Sequence, residues 1–332
     1  MVPQQKGQNM ADNADPGWDP PQLSPIDEWL VWLQNSRQLS TATIRAYRDG
    51  IRKWEAFVDD IFTATERDVE AFMRRPRPQV AQPAASTMGR DRSMLVTFYR
   101  WMTHRRLVPD NPAFFAATPK VRNAQPKAIP DDVWVQFWSS VKVPEDRVWV
   151  GLGAFAGLRR MEICSVAPHN FNLDTLKINH MVRKGGGTFP VEYGDMAHTI
   201  AHHLPHVLPD VDQWIADVED LVLARKGEHV LVTWDLPATP RQRELYSLSN
   251  EHVPSPDVLY KNLRRLIRNS GLPDGVFSPH WLRHTCATNL ARAGVPVEII
   301  ASQLSHSSVN TTMRYVDNAN RLGQWRAQHQ GR

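Results

Sequence analysis

The chain has 332 residues, 42% of them hydrophobic and 22% charged, with a formal net charge of +4. At ~100–200 residues per domain, that length suits two domains with separate cores and excludes wholesale disorder or a lone small module. Two cysteines are too few for a disulfide framework, and the longest apolar run, 11 residues from Val148 to Leu158, falls short of a ~20-residue membrane helix. The opening residues lack an apolar secretion signal, so a cytoplasmic protein is expected.

Residues 1–22 are polar and Pro-rich and read as a loose tail. Ile26, Trp29, Leu30 and Leu33 predict a first helix, and Ile44, Tyr47, Ile51, Trp54 and Val58, in steps of 3, 4, 3 and 4, predict a second. Their boundary falls near Ser40, where hydroxyls can cap orphan N–H groups. A third helix is predicted from Thr65, its cap, to Arg74, and a fourth from about Thr87 to His104, with Leu95, Phe98, Tyr99 and Met102 on its apolar face. Arg45, Arg48 and Arg52 on the second helix, and Arg90, Arg92, Arg100, Arg105 and Arg106 on and after the fourth, follow spacings that suit either DNA phosphates or plain solvation. Three prolines in PKVRNAQPKAIP make residues 118–130 an extended linker.

Beyond the linker, helices are predicted over Asp131–Val141, Arg147–Ala156, Val211–Lys226, Pro256–Ser270, Trp281–Ala293, Pro296–Leu304 and Ser308–Val316. Gly294 is placed as a C-cap glycine and Pro296 as a first-turn proline. Leu176–Asn179 and Thr188–Val191 predict strands around a Lys-Gly-Gly-Gly turn. The fold class is therefore mainly α with a small antiparallel β-sheet in the C-terminal domain. His202, His203 and His206 invite a metal reading, but Pro205 and Pro209 interrupt the helix and no Cys or carboxylate partner is near in sequence, so no metal site is expected.

Three segments carry chemistry: Ala156-Gly157-Leu158-Arg159-Arg160-Met161-Glu162-Ile163, the Arg183-Lys184-Gly185-Gly186-Gly187 turn, and SPHWLRHTCATNLARAGVPVEIIASQLSHSSVNTTMRYVD over residues 278–317. A phosphodiester gains negative charge during displacement, and two Arg forks such as Arg159 and Arg283 hold its oxygens bidentately. Tyr315 has an ordinary pKa near ~10 and must lose its proton to act as a nucleophile, with His280 as the candidate base. A leaving 5′-oxygen needs a proton, which Lys184 can deliver, and His306 can donate a hydrogen bond to the phosphate.

These segments resemble the tyrosine recombinase, or phage integrase, family. The Gly-Leu-Arg-x-x-Glu box falls on Arg159, the hairpin lysine on Lys184, the His-x-x-Arg box on His280 and Arg283, the second His on His306, and the nucleophile on Tyr315, 315 − 306 = 9 residues later. The resemblance covers nearly everything past the first 20 or so residues. It implies a helical, SAM-like core-binding domain over 23–117, a catalytic domain over 131–318, and a tail over 319–332 whose Ala319, Leu322 and Trp325 pack on their own domain or dock on a neighbouring protomer. It further implies site-specific recombination of double-stranded DNA at inverted-repeat half-sites, through a 3′-phosphotyrosyl intermediate, by a homo-tetramer needing neither metal nor cofactor. An accessory or directionality factor is compatible with it, as are phage, transposon and chromosomal roles. Ser305 departs from the family, which usually has Gly there; a positive φ at that position would strain it. A type IB topoisomerase and a DNA-binding regulator with a degenerate catalytic domain are the alternatives, and chain length and the full reactive set favour recombination.

Overall fold

The computed structural model describes residues 23–36, 39, 41–78, 80–118, 127–180, 190–232, 254–306, 308–317 and 319. The chain divides into two compact units, residues 1–120 and 121–332.

Unit one holds the helices α1 (Pro25–Ser36), α2 (Thr41–Glu55), α3 (Glu66–Arg74) and α4 (Ala85–His104). Their apolar stripes meet in one core, with Trp29, Trp54, Phe72, Phe98 and Tyr99 all buried. Burying tryptophan and tyrosine demands partners for their polar tips. Trp54 Nε1 donates to Tyr99 Oη at 3.0 Å, and that hydroxyl donates to the Ile61 carbonyl at 3.0 Å. Thr65 caps α3 in a reciprocal box with Asp68. The apolar steps that ran to Val58 outlast their helix: α2 stops at Glu55, and Val58 closes a turn onto the Trp54 carbonyl at 3.0 Å.

Unit two is built around α6 (Pro144–Ala154), buried at every residue from Asp146 to Ala154. It packs on α9 (Val211–Ala224) and α11 (Pro279–Arg292), with α5 (Asp131–Ser140), α8 (Gly194–His203) and α10 (Pro256–Asn269) around them. Buried charges must be paired. Arg147 meets Asp217 and Asp210, each at 2.8 Å, while Asp146 accepts from Trp149 Nε1 and Arg265, each at 3.0 Å. The unit also holds the short helices α7 (Arg160–Ser165) and α12 (Val297–Gln303), and residues 309–317 are helical.

An antiparallel sheet in the order β1-β2-β3 joins β1 (Phe171–Asn172), β2 (Lys177–Ile178) and β3 (Val191–Glu192). Ile178 faces Val191 across the ladder and both are buried, while the neighbouring Lys177–Glu192 pair forms a 2.9 Å salt bridge. The strand expected over Leu176–Asn179 shrinks to two residues because Leu176 turns into the left-handed region at φ 52°. Residues 181–189, including the expected Lys-Gly-Gly-Gly turn, lie outside the described residues.

Sequence reasoning missed α7 and β1, which are short, and the ten-residue α8. Helix α8 runs to His203 and ends before Pro205, so His206 lies outside the helix that carries His202 and His203. A carboxylate does reach His206: Asp131, at 3.0 Å, also clamped by Arg292 through two 2.8 Å hydrogen bonds. Pro296 is the N-cap of α12 and not its first-turn residue.

Gly151 sits where α6 crosses α9. A Cβ there would lie 2.1 Å from Nε1 of the buried Trp214, which donates to the Arg147 carbonyl. Alanine gains ~1 kcal/mol of helix propensity over glycine, but overpacking a rigid indole costs ~1–3 kcal/mol. Gly151→Ala is therefore expected to lower the melting temperature of unit two, measured by thermal denaturation.

Candidate active site

The Gly-Leu-Arg-x-x-Glu spacing has a local physical reason. Arg159 is the N-cap of α7, and Glu162, three residues on, accepts its backbone N–H at 2.7 Å and its guanidinium at 2.8 Å. Glu162 is buried, and its other flank lies 3.8 Å from Nη1 of Arg283. One carboxylate thus stands between two guanidiniums, leaving the trio with a formal charge of +1.

Arg283 projects from α11 and is 2% exposed. It donates to the carbonyls of Gly157, at 2.6 Å, and Leu304. Arg159 also reaches the Leu304 and Ser305 carbonyls, each at 3.4 Å, while keeping a quarter of its side chain exposed. The path is tight at Gly157, whose φ is +73° and whose absent Cβ would collide with Leu304 at 2.4 Å. Arg160 turns away toward Asp257 at 3.8 Å.

The turn after α12 is a Schellman cap. The Ser305 and His306 N–H groups donate to Ser302 and Ala301, each at 2.9 Å, and Ser305 takes the left-handed position with φ 46°. The serine pays a conformational cost that glycine would not, and its buried Oγ has no hydrogen-bond partner among the described residues. His306 follows, with Nδ1 2.8 Å from the buried Thr312 hydroxyl.

Tyr315 comes from helical residues 309–317 and is 5% exposed. Its ring lies parallel to that of His306, with centroids 6.2 Å apart. Its Oη lies 2.5 Å from Nδ1 of His284, a residue that motif reading passed over. The rings of His280 and His284 meet at 4.4 Å, and His280 is exposed at the rim. The helical spacing of 284 − 280 = 4 was the available signal.

Burial pushes the Tyr315 phenol up, against the pull of Arg283. Burial, His280 and Arg283 together push His284 down to about 4. His280 also falls, through desolvation by its protein surroundings and then through Arg283 and Arg159, although its ring keeps solvent contact. Beneath the site, the buried Cys286 thiol donates to the Phe155 carbonyl at 3.2 Å.

The structure thus brings Arg159, His280, Arg283, His306 and Tyr315 into one region of unit two, whereas Lys184 lies outside the described residues. Of the unit-one arginines, Arg52 is engaged by Asp27 and Glu55, and Arg92 by the carbonyls of Phe114 and Ala116. Arg48, Arg90 and Arg100 are exposed, and Arg45 is partly so. Among the described residues, no group of three or more His, Cys, Asp or Glu is placed to hold a metal ion, and no helix is long and apolar enough to cross a membrane.

Two outcomes follow for stability. Ser305→Gly should raise it by about 0.5–1 kcal/mol, read from denaturant midpoints, since relief of left-handed strain exceeds the entropy that glycine adds to the unfolded chain. The unfolded chain protonates His284 as the pH falls through about 6.5, but the folded chain does so only near 4. The folded state therefore loses stability across that interval as pH falls, with no further change from this group below it. Melting curves of His284→Gln should show a flatter acid limb than those of the parent chain.

The Phage integrase family matches residues 143–321, and its N-terminal SAM-like domain matches residues 26–106. Tyrosine recombinase XerC of Rhodospirillum centenum is 28% identical over 316 residues, covering 90% of this chain and 84% of that protein. XerC of Mycobacterium tuberculosis is 25% identical over 308 residues, covering 88% and 92%. Among solved structures, a lambda integrase dimer bound to a COC′ core site superposes with TM-score 0.64 at 14% identity, over 88% of this chain and 76% of that one. The Tn1549 transposon integrase in complex with a circular intermediate DNA gives TM-score 0.59 at 16% identity, over 92% and 100%. The family match spans more than half of the chain, and the fold is that of the two-domain integrases: this chain belongs to the phage integrase family of tyrosine recombinases.

Proposed function

We propose that this recombinase cuts and rejoins DNA at specific sites through a 3′-phosphotyrosyl bond to Tyr315. The observation that carries the reading is the convergence of Arg159, Arg283 and His306 on the region of Tyr315, with Glu162 holding both guanidiniums. A phosphate bound there meets two planar forks and an imidazole, a positive field suited to the charge that grows on its non-bridging oxygens. Tyr315 Oη attacks phosphorus, and its proton passes to His280 on α11. Lys184 protonates the departing 5′-oxygen. The phosphotyrosine bond conserves the energy of the broken phosphodiester, so rejoining needs no nucleotide.

The substrate is double-stranded DNA carrying inverted-repeat half-sites. One neighbour is a lambda integrase tetramer bound to a Holliday junction, which supports a homo-tetramer on paired sites. Unit one, matched by the SAM-like domain, supplies phosphate contacts, with Arg48, Arg90 and Arg100 the exposed choices. The tail beyond Ala319, itself buried on its own chain, packs on its own domain or docks on a neighbouring protomer as a head-to-tail contact that closes a ring.

Incubation with a suicide duplex should leave a covalent adduct in the presence of a chelator and without ATP. Tyr315→Phe should abolish it, and a persistent adduct in that variant would overturn the nucleophile. Arg283→Lys keeps the charge but loses the fork, so cleavage should fall ~10²-fold or more while half-site binding persists in gel shifts.

A further inference from the structure

Strand β3 lies at an edge of its sheet, with β2 on one side only. Its backbone groups need partners, and along an antiparallel strand they face alternately toward the neighbour and away from it. The Tyr193 N–H donates to the Leu176 carbonyl at 3.2 Å, so the preceding residue, Glu192, presents its N–H and C=O to the outer side. Among the described residues no further strand meets them there. A side chain does: Gln303 Oε1 accepts from the Glu192 N–H at 3.1 Å, and Gln303 Nε2 donates to the Glu192 carbonyl at 3.0 Å. One primary amide thus makes both bonds that a neighbouring strand would make. Nε2 also donates to the Ala156 carbonyl at 3.0 Å, which uses its second hydrogen.

The place of that amide gives it a role beyond the sheet. Gln303 is buried on the last turn of α12. The next residue, Leu304, offers its carbonyl to both Arg159 and Arg283, and the residue after Ala156 is Gly157, whose carbonyl also holds Arg283. Gln303 therefore ties β3 to the two backbone segments that hold the guanidiniums. In the chain, Glu192 follows Lys184 by 192 − 184 = 8 residues.

We propose that Gln303 is a positioning residue for the leaving-group step: its amide fixes β3 against the arginine cluster, and β3 is the anchor of the chain that carries the acid. This rests on Lys184 being that acid. In cleavage, Tyr315 Oη bonds to phosphorus as P–O5′ breaks, and the 5′-oxygen leaves as an alcohol with the lysine's proton. An alkoxide is a poor leaving group, so a misplaced acid costs up to ~10²-fold. With sulfur at the bridging 5′ position, P–S5′ breaks and a thiolate leaves with no proton taken up, since a thiol has a pKa of only ~8.5. Sulfur therefore removes the need for the acid and leaves the work of the arginines unchanged.

Single-turnover adduct formation is compared on two suicide duplexes, identical but for oxygen or sulfur at that position, by the full chain, Lys184→Ala and Gln303→Met. Methionine is close to glutamine in length and makes none of its hydrogen bonds. On the oxygen duplex Lys184→Ala should fall ~10²-fold or more, and Gln303→Met about tenfold or more. On the sulfur duplex both should come within about threefold of the parent chain. A lower melting temperature accompanies either a structural or a positioning role, because three backbone groups lose a partner; the leaving group separates the two. If Gln303→Met does not fold, Gln303→Glu, which keeps the acceptor for the Glu192 N–H and loses both donors, enters the same comparison.

The proposal is overturned if Gln303→Met cleaves the oxygen duplex within about threefold of the parent. It is also overturned if its deficit is equal on the two duplexes while Lys184→Ala is recovered by sulfur, which would leave Gln303 a support of the fold. Failure of the underlying acid assignment shows separately, as a Lys184→Ala deficit that sulfur does not relieve, and the proposal falls with it.

Discussion

The buried carboxylate of Glu162 is the constraint around which unit two arranges its chemistry. Two guanidiniums in a low-dielectric setting repel each other and each loses hydration, a combination a protein tolerates only with compensation. Glu162 supplies the compensating charge from a helix only six residues long, and its hydrogen bond to the Arg159 N–H fixes where that helix begins. The remaining donors of Arg159 and Arg283 go to main-chain oxygens at Gly157, Leu304 and Ser305. The cluster therefore has positive charge to offer a phosphate without collapsing or repelling itself apart.

That arrangement depends on the packing beneath it. Arg283 is delivered by α11, which lies on the buried helix α6, and the Gly157 turn leaves the end of the same helix. Helix α6 carries charges at its own start, yet Arg147 and Asp146 are matched by Asp210, Asp217 and Arg265 and so can be enclosed. Helix, turn and cap are consequently packed against one another, and the guanidiniums are held by hydrogen bonds between them.

Much of this was legible from residue types and spacing. The steps of three and four in the first two helices gave their positions because a half-buried helix must repeat its apolar residues that way. Arg159, Arg283, His306 and Tyr315 could be named because their segments resemble the boxes of the tyrosine recombinase family, and their residue types supply the forks, donor and nucleophile that displacement at phosphorus uses. His284 could not be named by motif, since its importance is a distance to a residue 315 − 284 = 31 positions away. The same holds for Asp131, which reaches His206 and Arg292 only through the fold. Arg52 and Arg92 show the converse case. Helical spacing placed them on a basic face, but carboxylates and carbonyls of their own unit claim them, and no periodicity reveals that.

The acceptors that hold the two guanidiniums at Gly157, Leu304 and Ser305 belong to the backbone, and this bears on how such an enzyme can diverge. A main-chain carbonyl is present whatever side chain its residue bears, so substitutions at positions 304 and 305 leave the anchor points standing. Vulnerability is concentrated where the path itself would have to change, at Gly157, which has no room for a Cβ. A lineage built on this scaffold can drift widely in side-chain identity around the reaction centre and explore new DNA partners through its other unit, while one glycine and one carboxylate keep the reacting groups in register.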